Sequence, residues 1–471
     1  MKLRKIIAML LAAVMVLGTL AGCGGKTDDP TTKAPADENT TEAPGTEEGA
    51  EKETIDDDFY KVTEPVTIEF WYNGKANEVF YTEIIEEFNK MSDQTNVTVV
   101  GVCPGNYQKI KDQFTAANQS NDLELMPGLM AMNFPATPYY YEQGALTDIN
   151  ELLEANGFDW SDLIDGLVDQ VTVGDAKVAV PWGPSATSYY YNKTELAKHG
   201  LDDFPESWEE LKVWAKAVYE ATGKTALVLT GDGNNATNLI QSFGGSLQEA
   251  DDPTKTNLDA ESLVTFLKEM NDMVKAGYIK FSNDGENIDQ TAFARGDVMA
   301  YNISCTNYDT LRVAIEAAST AAENPTPWFE LGMSWNFGDG GYGQSTVAGC
   351  SLVVPENIPQ LWKNAAGVFL SWLVTPENQL RWATFSSYLV IFESNITNET
   401  VMNGVYETLP EMKNIYDHIL ENYQMKPQTV HYDAAMKLVE EAWIAIFIEG
   451  YDFDDTWNNC VEEVENILAG N

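Results

Sequence analysis

Basic residues, histidines and cysteines are all scarce in this sequence. Lys and Arg together number 28 against 73 Asp and Glu, a formal charge of −45. Such a field repels nucleic acid and anionic lipid surfaces and argues against both as partners. The histidines are three, His199, His418 and His431, none in H-E-x-x-H spacing, so zinc or Ser-His-Asp chemistry has almost no raw material. Cys103, Cys305, Cys350 and Cys460 are scattered with no C-x-x-C pair, which excludes a cysteine metal site or a disulfide framework; isolated buried thiols are the expectation, with one disulfide the alternative in an exported protein. No Walker-type loop is present. Gly183-Pro-Ser185-Ala-Thr187 lacks the second glycine of a nucleophile elbow. Asn283-Asp-Gly-Glu-Asn287 is polar enough for calcium but does not fit the twelve-residue loop. No cofactor is implied.

Long apolar runs are equally few. The one that stands out, Ile6 to Leu17, follows the basic Lys2, Arg4 and Lys5, and is too short to span a bilayer comfortably. Basic start and apolar stretch form the layout of a secretory signal peptide over 1–22. It ends in Leu20-Ala-Gly-Cys23, which resembles the lipobox of bacterial lipoproteins. Cys23 is then the expected lipidation site and mature N-terminus, holding the protein on the extracytoplasmic face of the cell membrane through its acyl chains. Over 23–65 the sequence is Gly, Thr, Pro, Asp, Glu and Ala with almost no large apolar residue, and is expected to be a disordered acidic tether.

About four hundred residues remain, more than one core normally serves, so two lobes are expected. Val66–Trp71, Val97–Val102, Leu123–Met126, Lys177–Pro181, Ser188–Asn192, Leu227–Thr230, Val298–Ile303 and Val347–Val354 read as strands. Between them, helix-period stretches follow, with Val79, Ile84, Ile85 and Phe88 on one face of the first. Ser207 followed by Glu210 is a capping box opening another. The last third is mostly helical. Strand alternating with helix predicts an α/β fold with mostly parallel sheets.

Several ordered stretches resemble the family-one extracellular solute-binding proteins of ABC transporters, binders of maltose, oligosaccharides and glycerol phosphates. They are Phe70-Trp-Tyr-Asn-Gly-Lys75, Tyr141-Glu-Gln-Gly-Ala-Leu-Thr-Asp148, Val180-Pro-Trp-Gly-Pro-Ser185 running on to Pro205-Glu-Ser-Trp208, Phe293-Ala-Arg-Gly-Asp-Val-Met299, and Ala365-Ala-Gly-Val-Phe-Leu370 with Thr375-Pro-Glu377. The resemblance implies a two-lobe periplasmic-binding-protein-like fold of type II with a hinge and an interlobe ligand cleft. It places residues 66–181 and 347–395 in one lobe and 182–346 and 396–471 in the other. It also implies a monomer, without enzyme activity, that passes its ligand to permease transmembrane subunits.

Ligands of parallel α/β sheets sit beyond the carboxyl ends of the strands. A sugar needs aromatic platforms with amide, carboxylate and hydroxyl partners at its rim. Trp71, Tyr72, Asn73 and Lys75 end the first strand and supply both, although Trp71 reads equally as core. Gln108 follows the second strand. By resemblance, Trp182 and Ser185 line the back of the cleft, Gly349 brings backbone close to ligand, and Tyr388 matches a tyrosine position of relatives, here in Tyr388-Leu-Val-Ile rather than Tyr-Leu-Pro. Asn302 and Ser304 end a later strand where many sugar-binding relatives carry an aromatic. Trp335 and Tyr342 flank a glycine-rich turn. Ser185, Ser304 and Gly105-Asn-Tyr107 also resemble the glycerol-phosphate subgroup, but a phosphate wants an arginine fork and an acidic protein repels it. An exported glycan hydrolase is the rival, its carboxylate pair undetectable among so many acids.

Overall fold

The computed structural model describes residues 59–120, 122–134, 136–249, 251–283, 286–424 and 431–470. The signal peptide, Cys23 and residues 24–58 of the expected tether lie outside the described residues.

Two five-stranded sheets organise the body. Strands β1 (Val66–Asn73), β2 (Val97–Gly105), β3 (Leu129–Asn133) and β4 (Val180–Ser185) build the first, with β5 (Thr187–Asn192), β6 (Leu227–Thr230), β7 (Ile279–Ser282), β8 (Ala300–Ser304) and β9 (Leu331–Ser334) in the second. The last strand of the two large sheets, β10 (Ala348–Val353), returns to the first sheet. Strand order is β2-β1-β3-β10-β4 in one sheet and β9-β5-β8-β6-β7 in the other. Within each, three neighbours run parallel, β2-β1-β3 and β8-β6-β7, and the strands that follow a crossing are antiparallel: β10 against β3 and β4, and β5 against β8 and β9. Their carboxyl ends are Asn73, Gly105 and Asn133 in one sheet and Thr230, Ser282 and Ser304 in the other.

Each element follows from its residues. β1 keeps its alternation only at the start, with Ile68 buried between exposed neighbours, and then buries Phe70, Trp71, Tyr72 and Asn73 in succession. A strand covered on both faces reads this way. The helix after it, α1 (Glu78–Asn89), turns Phe80, Tyr81, Ile84, Ile85 and Phe88 inward. Val79, expected on that face, is 61% exposed; the apolar stripe is carried by Phe80 and Tyr81 instead. Leu123–Leu125 is a single 3-10 turn capped by Asp122 rather than a strand. The local Asp acceptor favours the turn over an extended run, and the strand begins at Leu129. Ser207 does close the capping box, its hydroxyl accepting from Glu210 N and the Glu210 carboxylate from Ser207 N, at the start of α2 (Trp208–Thr222).

The chain passes between sheets with little slack. β4 runs to Ser185 within the first sheet, beyond the expected crossing after 181, because Pro184 and Ser185 pair with Gly349 and Ala348. Ala186 alone separates it from β5. The return crossing, at Val347, lies directly beside it. Residues 59–65, placed by composition in the tether, pack on the first lobe: Asn364 Nδ2 donates to Phe59 O (2.8 Å) and Lys61 O (3.0 Å), and Asn96 Nδ2 to Val62 O (3.2 Å). Cys103, Cys305, Cys350 and Cys460 are free thiols, the last three buried as expected and Cys103 only half-buried.

Candidate functional site

The first lobe presents a wall of aromatic and amide groups. Tyr107, opening the helix after β2, and Tyr388 share a hydrogen bond between their hydroxyls at 3.3 Å. Burial and the neighbouring Cys350 push both phenols up, so they act as neutral hydrogen-bonding groups. The Asn73 side chain lies beside Tyr388. Its Oδ1 is buried and has no partner, as is Oδ1 of Asn133 at the end of β3. A shielded acceptor left unmatched costs about 1–3 kcal/mol, which a ligand donor would recover.

Other expected contacts are placed elsewhere. Trp71 is buried and its indole donates to Glu69 at 2.8 Å, while Tyr72 stacks on Tyr81 at 4.4 Å. Trp182 is fully buried, donates to Tyr81 Oη at 3.0 Å, and lies parallel to Trp382 at 5.8 Å. It supports the wall from within. Ser185 is buried at the end of β4. Lys75 is exposed on the turn after β1. Gln108 is exposed and donates along its own helix to Asp112 at 2.8 Å.

Gly349 does bring backbone close, though to backbone. It has φ +112°, and a Cβ there would stand 2.0 Å from Gly183 O. Trp335 is fully buried and donates to Gly343 O at 2.9 Å. Tyr342 packs on His418 at 3.8 Å and donates to Glu206 at 3.0 Å, burial and that carboxylate lifting its pKa to about 12. Ser304 Oγ caps the turn that follows it, accepting from Thr306 N.

Asn302 is fully buried, accepts from Thr230 N at 2.7 Å and keeps an unpartnered Nδ2. Thr230 leads to the part of the site that strand-by-strand reading passed over. Beyond β6, Asp232 caps α3 (Gly233–Ser242), accepting from Asn234 N (3.0 Å), Asn235 N (3.2 Å) and Thr230 Oγ1 (2.6 Å). Against it stands Glu440 of α4 (Tyr432–Phe447). Two cavities share this pair. One, of about 420 Å³, is lined by Asn133 of the first lobe together with Asn234, Tyr432 and Lys437. The other, of about 300 Å³, lies over Thr230, Ser282 and Ile303.

Volumes of this size suit a small ligand, and the position, beyond the carboxyl ends of strands from both sheets, is where α/β sheets bind. The signal for Asp232 was the run Gly231-Asp-Gly-Asn-Asn235 directly after a strand. Glu440, two hundred residues away, had none.

A profile of the bacterial extracellular solute-binding proteins matches residues 83–414. The diacetylchitobiose binding protein DasA of Streptomyces coelicolor is 26% identical over 254 residues, 53% of this chain and 51% of DasA. The sn-glycerol-3-phosphate-binding periplasmic protein UgpB of Brucella abortus is 29% identical over 155 residues, 31% of this chain and 35% of UgpB. The chain thus spans about half the length of one relative and a third of the other. A crystal structure of UgpB from Mycobacterium tuberculosis with glycerophosphocholine superposes with a TM-score of 0.72 at 18% identity, covering 86% of this chain and 99% of that one. The fold is therefore the two-lobed type II periplasmic-binding-protein fold. With the profile covering most of the body and the strand-end cleft in place, the chain belongs to the bacterial extracellular solute-binding proteins.

Proposed function

We propose that this chain is the substrate-binding lipoprotein of an ABC importer, taking up a saccharide outside the cell and delivering it to the permease. The observation that carries the reading is the cavity shared by Asn133, at the end of a strand of one sheet, and by Asp232 and Glu440, on the helix cap and helix beside the other, a placement from which a ligand can bridge both lobes. Asn73, Tyr107, Tyr388, Asn133, Asp232 and Glu440 then form the contact set, with Trp182 and Gly349 shaping the wall behind it. The mechanism is a trap. Ligand that touches both walls favours the closed state by its differential affinity, and the closed state docks on the permease. No bond is made or broken in this reading, in keeping with a family of binding proteins.

A saccharide is preferred over a glycerol phosphate because Asp232, Asp289, Asp433 and Glu440 all line the two cavities, against Lys437 alone, and would repel an anion. Calorimetry of the protein against mono- and oligosaccharides and glycerol phosphates tests it. Saturable binding of a saccharide without turnover is the expected result, and product formation in the same mixture would overturn it. The anchor is proposed at Cys23. Among the described residues no helix is long and apolar enough to cross a membrane, and Cys23→Ser is expected to release the protein from membranes.

A further inference from the structure

We propose that Tyr416 is a positioning residue for ligand capture: carried on the second lobe, it sets Tyr388, the phenol that the first lobe offers to the ligand; this deepens the reading above and rests on it. Tyr388 follows the helix Pro376–Ser386 and stands in an irregular segment, residues 387–391, that joins no sheet. Hydrogen bonds reach that segment from both lobes. From the first, the Pro184 carbonyl accepts from Leu389 N at 2.8 Å, and the buried Gln379 amide donates to Leu389 O at 3.0 Å and accepts from Ile391 N at 3.3 Å. From the second, the Tyr416 hydroxyl accepts from Val390 N at 2.9 Å, and Cys305 Sγ comes within 3.7 Å of Ser387 O. Both groups ride on the second sheet. Cys305 directly follows β8, and the helix Lys413–Asn422 that bears Tyr416 is tied to β9 by Asn414 Nδ2, which donates to Met333 O at 2.7 Å.

The segment is held under strain. Ser387 is buried with φ at +58°, a left-handed conformation that costs a residue other than glycine about 1–2 kcal/mol. Such a conformation persists only where its surroundings over-determine it, and here the surroundings belong to two lobes. Tyr388 starts from that residue: its ring lies on Trp382 at 5.6 Å, and its hydroxyl shares the 3.3 Å hydrogen bond with Tyr107. A cavity of about 190 Å³, lined in part by Pro184, Val347, Leu389, Val390 and Tyr416, lies alongside, so the segment has room to shift once the Tyr416 oxygen is gone. Turning the second lobe carries Tyr416 and Cys305 with it, and through them the phenol that meets the ligand.

The test is Tyr416→Phe in the full chain, which removes one oxygen and keeps the ring. With 3-fluorotyrosine placed at position 388 alone, a single fluorine resonance is expected in the native protein, and Tyr416→Phe should shift or split it. Calorimetry with maltotriose and diacetylchitobiose as probes should show affinity falling about fivefold in Tyr416→Phe, the worth of one hydrogen bond. In the Tyr388→Phe background the same change should cost less than about twofold, because the group it positions is already missing. An equal loss in both backgrounds is what a merely structural role would give. That result, or an unmoved resonance, would overturn the inference while leaving saccharide capture standing. Failure of the native chain to bind these or any other saccharide would overturn the reading above, and the resonance then decides the positioning by itself.

Discussion

Gly349 shows how little room the strands between lobes leave. With φ at +112° and the Gly183 carbonyl 2.0 Å from any Cβ, Gly349→Ala meets both a strained backbone and a clash with main chain. A loss of about 2–4 kcal/mol in urea unfolding is expected. Trp182 is the second such residue. As a fully buried indole held by Tyr81 and Trp382 it belongs to the core, so Trp182→Ala should cost about 3–5 kcal/mol of stability. Its effect on affinity should be indirect. Glu440 behaves oppositely. Its pKa is raised in the fold, so the ionised form is penalised above that pKa and the penalty vanishes below the ordinary carboxyl range. Glu440→Gln should therefore raise the ligand-free Tm at pH 7, with the gain shrinking towards pH 4. Differential scanning calorimetry at the two pH values checks the sign.

Elements were legible where a local signal fixes them. The capping box at Ser207 and Glu210 starts α2 as its side chains dictate, and Ser207→Ala should destabilise by about 1 kcal/mol in denaturant unfolding. Strand ends were legible for the same reason: Asn73 and Ser304 stand at the carboxyl ends of β1 and β8, where the buried apolar runs stop. Leu123–Leu125 was misread because an apolar pair in a short segment does not separate strand from turn, and Asp122 decided between them. The Asp232 and Glu440 pair lay beyond such reading altogether. Only the packing of α4 against α3 joins them, and no spacing along the chain records a contact made through tertiary structure. Trp182 failed in another way. A large aromatic in a strand can point either into the cleft or into the core, and the Tyr81 hydroxyl gave it a partner inside.

At the scale of the molecule the proposed trap predicts a change of shape. Small-angle scattering with saturating ligand should show the radius of gyration fall by roughly 1 Å as the lobes close. An unchanged radius would place the ligand on one lobe only. The path of that motion is set by the links between the lobes, two of which are described above. A single residue, Ala186, separates β4 from β5, and the return at Val347 lies alongside it, with Ser185 paired to Ala348. Links this short act like a pin through a door: the halves can swing but have no slack to slide or part. Closure in the proposed trap then turns about these links, and a transporter that distinguishes loaded from empty protein would read the angle between the lobes.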